Sequence, residues 1–156
     1  MVASTGLSRS RSAKQAGFTL LEVMAVVGVI AVLLAVALPN LLAILDGLRL
    51  SDGARQLASE LQLARMKAIS QHTKYRISFG SYPATTYSLE KHDGTVFALE
   101  SGPVALPDGI TVTTVSPSVS EFQSGGTVNT TSTITLSNGS ASKQIQVNLI
   151  GRVKIL

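Results

Sequence analysis

The pattern of apolar and polar residues divides the chain into three segments. Residues 1–17 are mostly polar and carry basic but no acidic side chains. Residues 18–45 are apolar almost throughout, and Glu22 is the only charged residue among them. From residue 46 onward the apolar positions become periodic. This pattern predicts a leader over residues 1–17, a hydrophobic helix over 18–45 and a globular domain over 46–156.

The hydrophobic segment is long enough to cross a lipid bilayer. A helix over residues 18–45 would extend about 42 Å, whereas the hydrocarbon core of a bilayer is about 30 Å thick. The basic residues before it predict a cytoplasmic leader and place the residues after Leu45 on the other side of the membrane. An ordinary secretory signal is the alternative. Such a signal is shorter, however, and is cleaved after its apolar region, whereas the small-residue junction Ala16-Gly17 precedes it here.

The globular segment is predicted to begin with an amphipathic helix and to continue as strands. From about Leu48 to Ser70, apolar residues recur at alternating spacings of four and three and form one stripe, which comprises Leu50, Ala54, Leu57, Leu61, Ala64 and Ala68. Alternating patterns predict strands near residues 75–79, 87–89, 96–99, 110–115, 133–136, 144–149 and 153–155, with turns at Asp93-Gly94, Asp108-Gly109 and Asn138-Gly139. Residues 116–132 are predicted to form a loop with at most one weak strand. We therefore expect an α+β fold, in which the C-terminal half of a long N-terminal helix packs on a mainly antiparallel β-sheet.

Composition and charge narrow the function classes. The chain has no cysteine, so thiol nucleophiles and cysteine metal sites are excluded, and the domain has to be held by its core or by neighbouring subunits. The net charge is +4, but three of the 13 basic residues precede Gly17, which leaves ten against nine acidic ones. A nearly neutral mature chain does not predict a broad nucleic-acid surface.

The junction between leader and helix carries a specific motif. Gly17-Phe18-Thr19-Leu20-Leu21-Glu22, followed by an apolar helix with Pro39, resembles the leader junction of type IV pilins and type II secretion pseudopilins. In that family a prepilin peptidase cuts between Gly and Phe and methylates the new N-terminus. The resemblance implies cleavage after Gly17, N-methylation of Phe18, an assembly role for Glu22 and a helix kink at Pro39.

Physical chemistry bears on two of these residues independently. A lone carboxylate near the start of a membrane helix is costly and requires a partner, and the new α-amino group of Phe18, in the same chain or a neighbour, is the natural candidate. The alternative is that Glu22 lies at the headgroup level, where it is solvated or stabilised by the helix dipole. Pro39 removes one helical hydrogen bond and clashes with the preceding turn, which predicts the kink.

The globular segment carries a second, weaker resemblance. Leu57–Ser70, the strand that follows it and the run Gly151-Arg152-Val153 are similar to the H-type pseudopilins of type II secretion and the related FimT/FimU minor pilins. The resemblance implies a single-pass protein of the bacterial inner membrane, whose C-terminal domain is periplasmic and which assembles with other pilins into a pilus or pseudopilus. The sequence does not separate protein secretion from pilus or transformation machinery.

The sequence offers no candidate for catalysis. His72 and His92 lack a second histidine or a cysteine at metal-ligand spacing. Gly125-Gly126 lacks the Lys-Ser/Thr of a phosphate loop, and no serine lies in a nucleophile elbow. We therefore predict neither an enzyme nor a metal or cofactor site. A membrane-anchored domain that never polymerises remains an alternative to a filament subunit.

One local basic cluster keeps DNA as a candidate partner. Lys143, Arg152 and Lys154 lie after Phe122, where no acidic residue occurs. Some T-type relatives bind DNA through basic residues of this region, which implies a DNA-uptake minor pilin as the alternative function. Three cations would neutralise a few phosphates and give weak, salt-sensitive binding. They are equally consistent with ordinary solvated strand residues, among which lysines protect an exposed edge.

Overall fold

The computed structural model describes residues 18–156, apart from the side chains of Pro39 and Ala43. The predicted leader 1–17, with the cleavage residue Gly17, lies outside the described residues. The chain divides into two units, of which the first ends at Asn40 and the second comprises Leu41–Leu156.

One long helix dominates the first half of the chain. Helix α1 comprises Leu20–Ser70, as the sequence predicts, and its helical assignment continues through Pro39. Its end is capped by backbone hydrogen bonds from Gln71 to Lys67 and from Thr73 to Ala68. His72 lies between these donors with a left-handed φ of 52°. The histidine therefore forms part of a helix C-cap, in which a left-handed residue lets the chain turn away.

Eight strands follow the helix and form two four-stranded antiparallel sheets. The strands are β1 (Tyr75–Phe79), β2 (Thr86–His92), β3 (Phe97–Ala105), β4 (Thr111–Ser116), β5 (Glu121–Phe122), β6 (Ser132–Ser137), β7 (Ser142–Val147) and β8 (Val153–Ile155). The first sheet has the order β3-β2-β1-β5, and the second has the order β4-β6-β7-β8. A backbone bridge between Ala84 and Val112 connects the two.

The predicted α+β class is confirmed, with two differences in detail. The sequence predicted one sheet, whereas the structure has two, because strand alternation reports which face is buried and not which strands pair. Strand β3 extends to Ala105, far beyond the predicted 96–99. The sequence pattern did not predict this length, because most residues of the strand are exposed and show no apolar alternation. The weak strand expected within 116–132 is β5.

A single hydrophobic core joins α1 to both sheets. All members of the predicted helix stripe, from Leu50 to Ala68, are buried. Their partners are the inward-facing residues of the strands, among which Tyr75, Tyr87 and Phe122 are the largest. Three of the six stripe positions are alanine, so the helix backbone lies close to the sheets.

A salt bridge above the core ties the last turn of α1 to edge strand β3. Lys67 Nζ lies 2.6 Å from Glu100 Oε1, and the lysine also lies over the ring of buried Tyr75. Burial, reinforced by the Glu100 carboxylate, raises the pKa of Tyr75 to about 12. Partial burial acts to raise the pKa of Glu100, but the hydrogen bond from Lys67, the nearby Tyr75 hydroxyl and the charges of Lys67 and Lys91 outweigh it and lower that pKa.

This salt bridge makes part of the stability depend on pH. Because the pKa of Glu100 is lowered in the folded state, its contribution is complete above the ordinary glutamate range and is lost as the pH falls through the lowered value. We expect Glu100→Gln to reduce the free energy of unfolding at neutral pH and to flatten its decline in acid. Urea unfolding at several pH values measures this, with Glu60→Gln as the control. Parallel pH profiles for wild type and Glu100→Gln would contradict the assignment.

Candidate filament-assembly site

The first turn of α1 is organised by Thr19. The Thr19 hydroxyl accepts a hydrogen bond from the Glu22 amide at 3.2 Å, and the Thr19 carbonyl accepts one from the Val23 amide at 3.2 Å. Thr19 is thus the N-cap residue, and Glu22 occupies the third helical position, as in a capping box. The carboxylate therefore lies in the first turn, where the helix dipole favours a negative charge.

Glu22 is exposed beside an equally exposed Phe18. Within residues 18–156, no cation lies within salt-bridge distance of the Glu22 carboxylate. Phe18, which would carry the new α-amino group, is 83% exposed. The charge of Glu22 is thus available to a partner supplied from outside the described residues.

The helix that follows presents an uncovered apolar surface. Every large apolar side chain described between Phe18 and Leu48 is exposed, and the first buried one is Leu50. The helix is long and apolar enough to span a membrane. Since burying each such side chain is worth about 1.5–3 kcal/mol, this surface requires lipid or other helices around it.

A shallow notch interrupts this surface at Gly28. It is lined by Ala25, Gly28, Val29, Val32 and Leu33. A Cβ added to Gly28 would meet nothing within 4 Å in the isolated chain. The notch therefore provides a place where a second helix can approach closely, as small residues do in membrane helices.

Arg65 fastens the second half of α1 to the β-domain. Its Nε donates to the Gly126 carbonyl at 2.9 Å and its Nη2 donates to the Ile150 carbonyl at 3.1 Å. Gly151, with a left-handed φ of 75°, lies directly against this contact. A Cβ there would collide with the Gly126 oxygen and would lie 2.8 Å from Arg65 Nε. The glycine of the Gly151-Arg152-Val153 run therefore allows the close approach of two loops to one arginine.

The three cations predicted to contact DNA do not share one face of the second sheet. Lys143 pairs with buried Leu136, and directly paired residues point to the same side of a sheet. Lys154 pairs with Gln146, whose two chain neighbours are buried, so Lys154 points to the opposite side. Arg152 is exposed immediately before β8. A DNA contact therefore stays a prediction, which this geometry does not favour.

His92 and its neighbour Asp93 form local contacts that stabilise a turn. His92 Nδ1 accepts a hydrogen bond from the Gly94 amide at 3.0 Å, and its ring packs edge-on against Phe97. Asp93 accepts bonds from the amides of Thr95 and Val96, which lower its pKa and confirm its predicted role in a turn. Among the described residues, no three His, Cys, Asp or Glu side chains are grouped as metal ligands.

Comparison with protein families agrees with this architecture. The family described as "Type II transport protein GspH" matches residues 53–151, and the "Prokaryotic N-terminal methylation motif" matches residues 12–38. The first match covers more than half of the chain, so this pilin-like protein belongs to the GspH family. A comparison with curated proteins finds no match.

Solved structures with the same fold come from two machines. The type IV minor pilin FimU of Pseudomonas aeruginosa matches with a TM-score of 0.57 and 20% identity, over 69% of this chain and 87% of FimU. The minor pseudopilin EpsH from the type 2 secretion system of Vibrio cholerae matches with a TM-score of 0.55 and 12% identity, over 69% of this chain and 96% of EpsH. At these identities the two structures establish the fold alone.

The sequence predicts Glu22 as a candidate assembly residue, but the Thr19 cap and the contacts of Arg65 were not predicted. The spacing Thr-x-x-Glu before an apolar run is a capping-box signal and would have revealed Thr19. Arg65 lies outside the predicted apolar stripe, and nothing local in the sequence indicates which distant carbonyls an arginine reaches. The processing residues, the pairing of Glu22 and the kink at Pro39 remain predictions.

The contact between Gly151 and Arg65 predicts that replacement by alanine destabilises the domain more at Gly151 than at Gly139, although both glycines have a left-handed backbone. Gly139 has a φ of 87° with open space around it, so Gly139→Ala should cost only the backbone strain, about 1–2 kcal/mol. Gly151→Ala adds a collision with the Gly126 carbonyl and Arg65, and we expect a further loss of about 1–3 kcal/mol. Urea unfolding followed by circular dichroism compares the two. Equal losses would refute the role assigned to Gly151.

Proposed function

We propose that this protein is a minor pilin or pseudopilin subunit that is anchored in the bacterial inner membrane and then assembled into a filament. The observation that carries the proposal is the uncovered apolar surface of α1 from Phe18 to Leu48, attached to a compact β-domain. A surface of this kind is suited first to lipid and then to the apolar helices of other subunits. The match to the N-terminal methylation motif supports the same assignment.

Processing at Gly17 creates the group that Glu22 needs. Prepilin peptidase cuts after Gly17 and methylates Phe18, so the mature helix begins with a positively charged amine close to a carboxylate. Within a filament, the Glu22 carboxylate pairs with the N-terminal amine of an adjacent subunit. A subunit in the correct axial register satisfies both charges, whereas one out of register leaves a carboxylate unpaired among apolar side chains.

Between the machines that use such subunits, we favour a type II secretion pseudopilus. The family match over most of the β-domain supports secretion, and the fold match to EpsH is compatible with it. The fold match to FimU is equally compatible with a type IV pilus. Deletion of the gene separates them. Loss of protein secretion with intact surface pili supports the pseudopilus, and loss of pili with normal secretion rejects it.

The processing step predicts a defined mature N-terminus. Mass spectrometry of the protein isolated from membranes should find N-methylated Phe18 as the first residue, because the leader ends at Gly17. Replacement of the glycine by Gly17→Val should leave the full-length precursor, since a branched residue then occupies the cleavage junction. A mature chain that begins anywhere after Leu45 would instead identify an ordinary secretory signal.

The pairing of Glu22 predicts an assembly defect without a membrane defect. We expect Glu22→Gln to be cleaved and retained in the inner membrane but to fall about tenfold or more in the sheared filament fraction, since one lost ion pair in an apolar setting is worth more than about 1.4 kcal/mol. Immunoblots of membrane and filament fractions measure both quantities.

Two variants make this experiment specific. Glu60→Gln removes a carboxylate from the same helix within the β-domain and should assemble as the wild type does. Glu22→Asp keeps the charge but shortens its reach, so it should assemble at an intermediate level. Normal assembly of Glu22→Gln would contradict the pairing of Glu22, whereas absence of the wild-type chain from the filament fraction would favour the non-polymerising membrane-anchored domain.

A further inference from the structure

A groove runs beside the exposed side of α1 in the second unit. It encloses about 390 Å³ between Gln62, Arg65, Met66 and Ile69 of the helix and the segment 151–153. The groove lies next to the Arg65 contact, so its walls are held by the same hydrogen bonds that fasten the helix to the β5–β6 and β7–β8 loops.

Two positive charges line the groove, and no negative charge in its lining compensates them. Arg65 and Arg152 both line it, and no acidic side chain does. Within residues 18–156, neither arginine has a carboxylate at salt-bridge distance. Arg65 uses two nitrogens for the loop carbonyls, which leaves part of its five-donor guanidinium for an anion. A carboxylate would complement this pair of charges.

Apart from Gln62, the other side chains that line the groove are apolar. Met66 is 60% exposed and Ile69 is 42% exposed, although both belong to the folded domain. The adjacent β7–β8 loop exposes Leu149 and Ile150. Contiguous exposed apolar groups beside paired cations are typical of a protein contact and not of a phosphate backbone.

A free strand edge lies along the same groove. Strand β8 is the last strand of its sheet, and it pairs only with β7. The ladder joins Asn148 to Arg152 and Gln144 to Leu156, so the intervening Val153 and Ile155 direct their amide and carbonyl groups away from β7. Val153 also lines the groove. An extended segment entering here would find backbone hydrogen-bonding partners.

We propose that this groove binds an extended, carboxylate-bearing segment of a neighbouring filament subunit, with the carboxylate between Arg65 and Arg152 and an apolar side chain against Met66 and Ile69. The inference rests on the proposed function, because a filament brings other subunits against the domain. It extends that function by assigning a second contact, separate from the apolar helix. Duplex DNA is disfavoured as the occupant, since Lys143 points away from Lys154 and the two arginines lie beside exposed apolar side chains.

The test uses the full-length chain in cells that assemble the filament. A photo-crosslinking amino acid replaces Met66, the filaments are sheared after irradiation, and mass spectrometry identifies the crosslinked peptide. We expect a peptide of another pilin-like subunit that contains Asp or Glu. Arg152→Glu places like charges together and should reduce the crosslink about tenfold or more, and Arg152→Gln should reduce it less.

Lys154→Glu is the matched control, because it makes the same charge change on an exposed residue outside the groove lining. It should leave the crosslink yield unchanged. A crosslink to nucleic acid or to a segment without a carboxylate overturns the inference, as does an equal yield in wild type and Arg152→Glu. Absence of the wild-type chain from the filaments would instead reject the proposed function, so the two failures are distinguishable.

Discussion

The structure depends on one constraint, which is that the apolar surface of α1 has to be removed from water. From Phe18 to Leu48 the described large apolar side chains are all exposed, while from Leu50 to Ala68 the helix stripe is completely buried. A single helix therefore has two kinds of partner. The β-domain covers the second half, and within residues 18–156 nothing covers the large apolar side chains of the first half. The helix dipole and the Thr19 cap stabilise its start without covering any of that surface.

The β-domain has to hold the helix firmly if the helix is to transmit force or register. It does so without disulfides, since the chain has no cysteine. Among the polar contacts that supplement the core, two use charged side chains of the helix. The Lys67–Glu100 pair joins the last turn of α1 to β3, and Arg65, one turn earlier, joins the helix to the β5–β6 and β7–β8 loops. Both involve partly buried groups, so they are more than exposed surface pairs, whose contribution is small.

Much of this fold could be predicted from the sequence, because its strongest signals are local. An uninterrupted apolar run, followed by apolar residues at alternating spacings of four and three, predicted α1. The turn residues near Asp93 and Asn138 predicted two hairpins that the structure contains. Strand partners, the length of β3 and the division into two sheets could not be predicted, since pairing depends on distant segments. For the same reason, the hydrogen bonds of Arg65 to distant loops could not be predicted. Glu22 could be predicted as a candidate because an isolated charge in an apolar helix is costly wherever the helix lies, and its role in assembly stays a prediction.

The central claim is that the first half of α1 ends in contact with the helices of other subunits and not only with lipid. A photo-crosslinking amino acid at Leu33, which is 63% exposed on that surface, tests it in membranes and in sheared filaments from the same cells. The account predicts lipid adducts in the membrane fraction and, in the filament fraction, adducts with the apolar N-terminal helix of another pilin-like subunit. Lipid adducts alone in every fraction would contradict it.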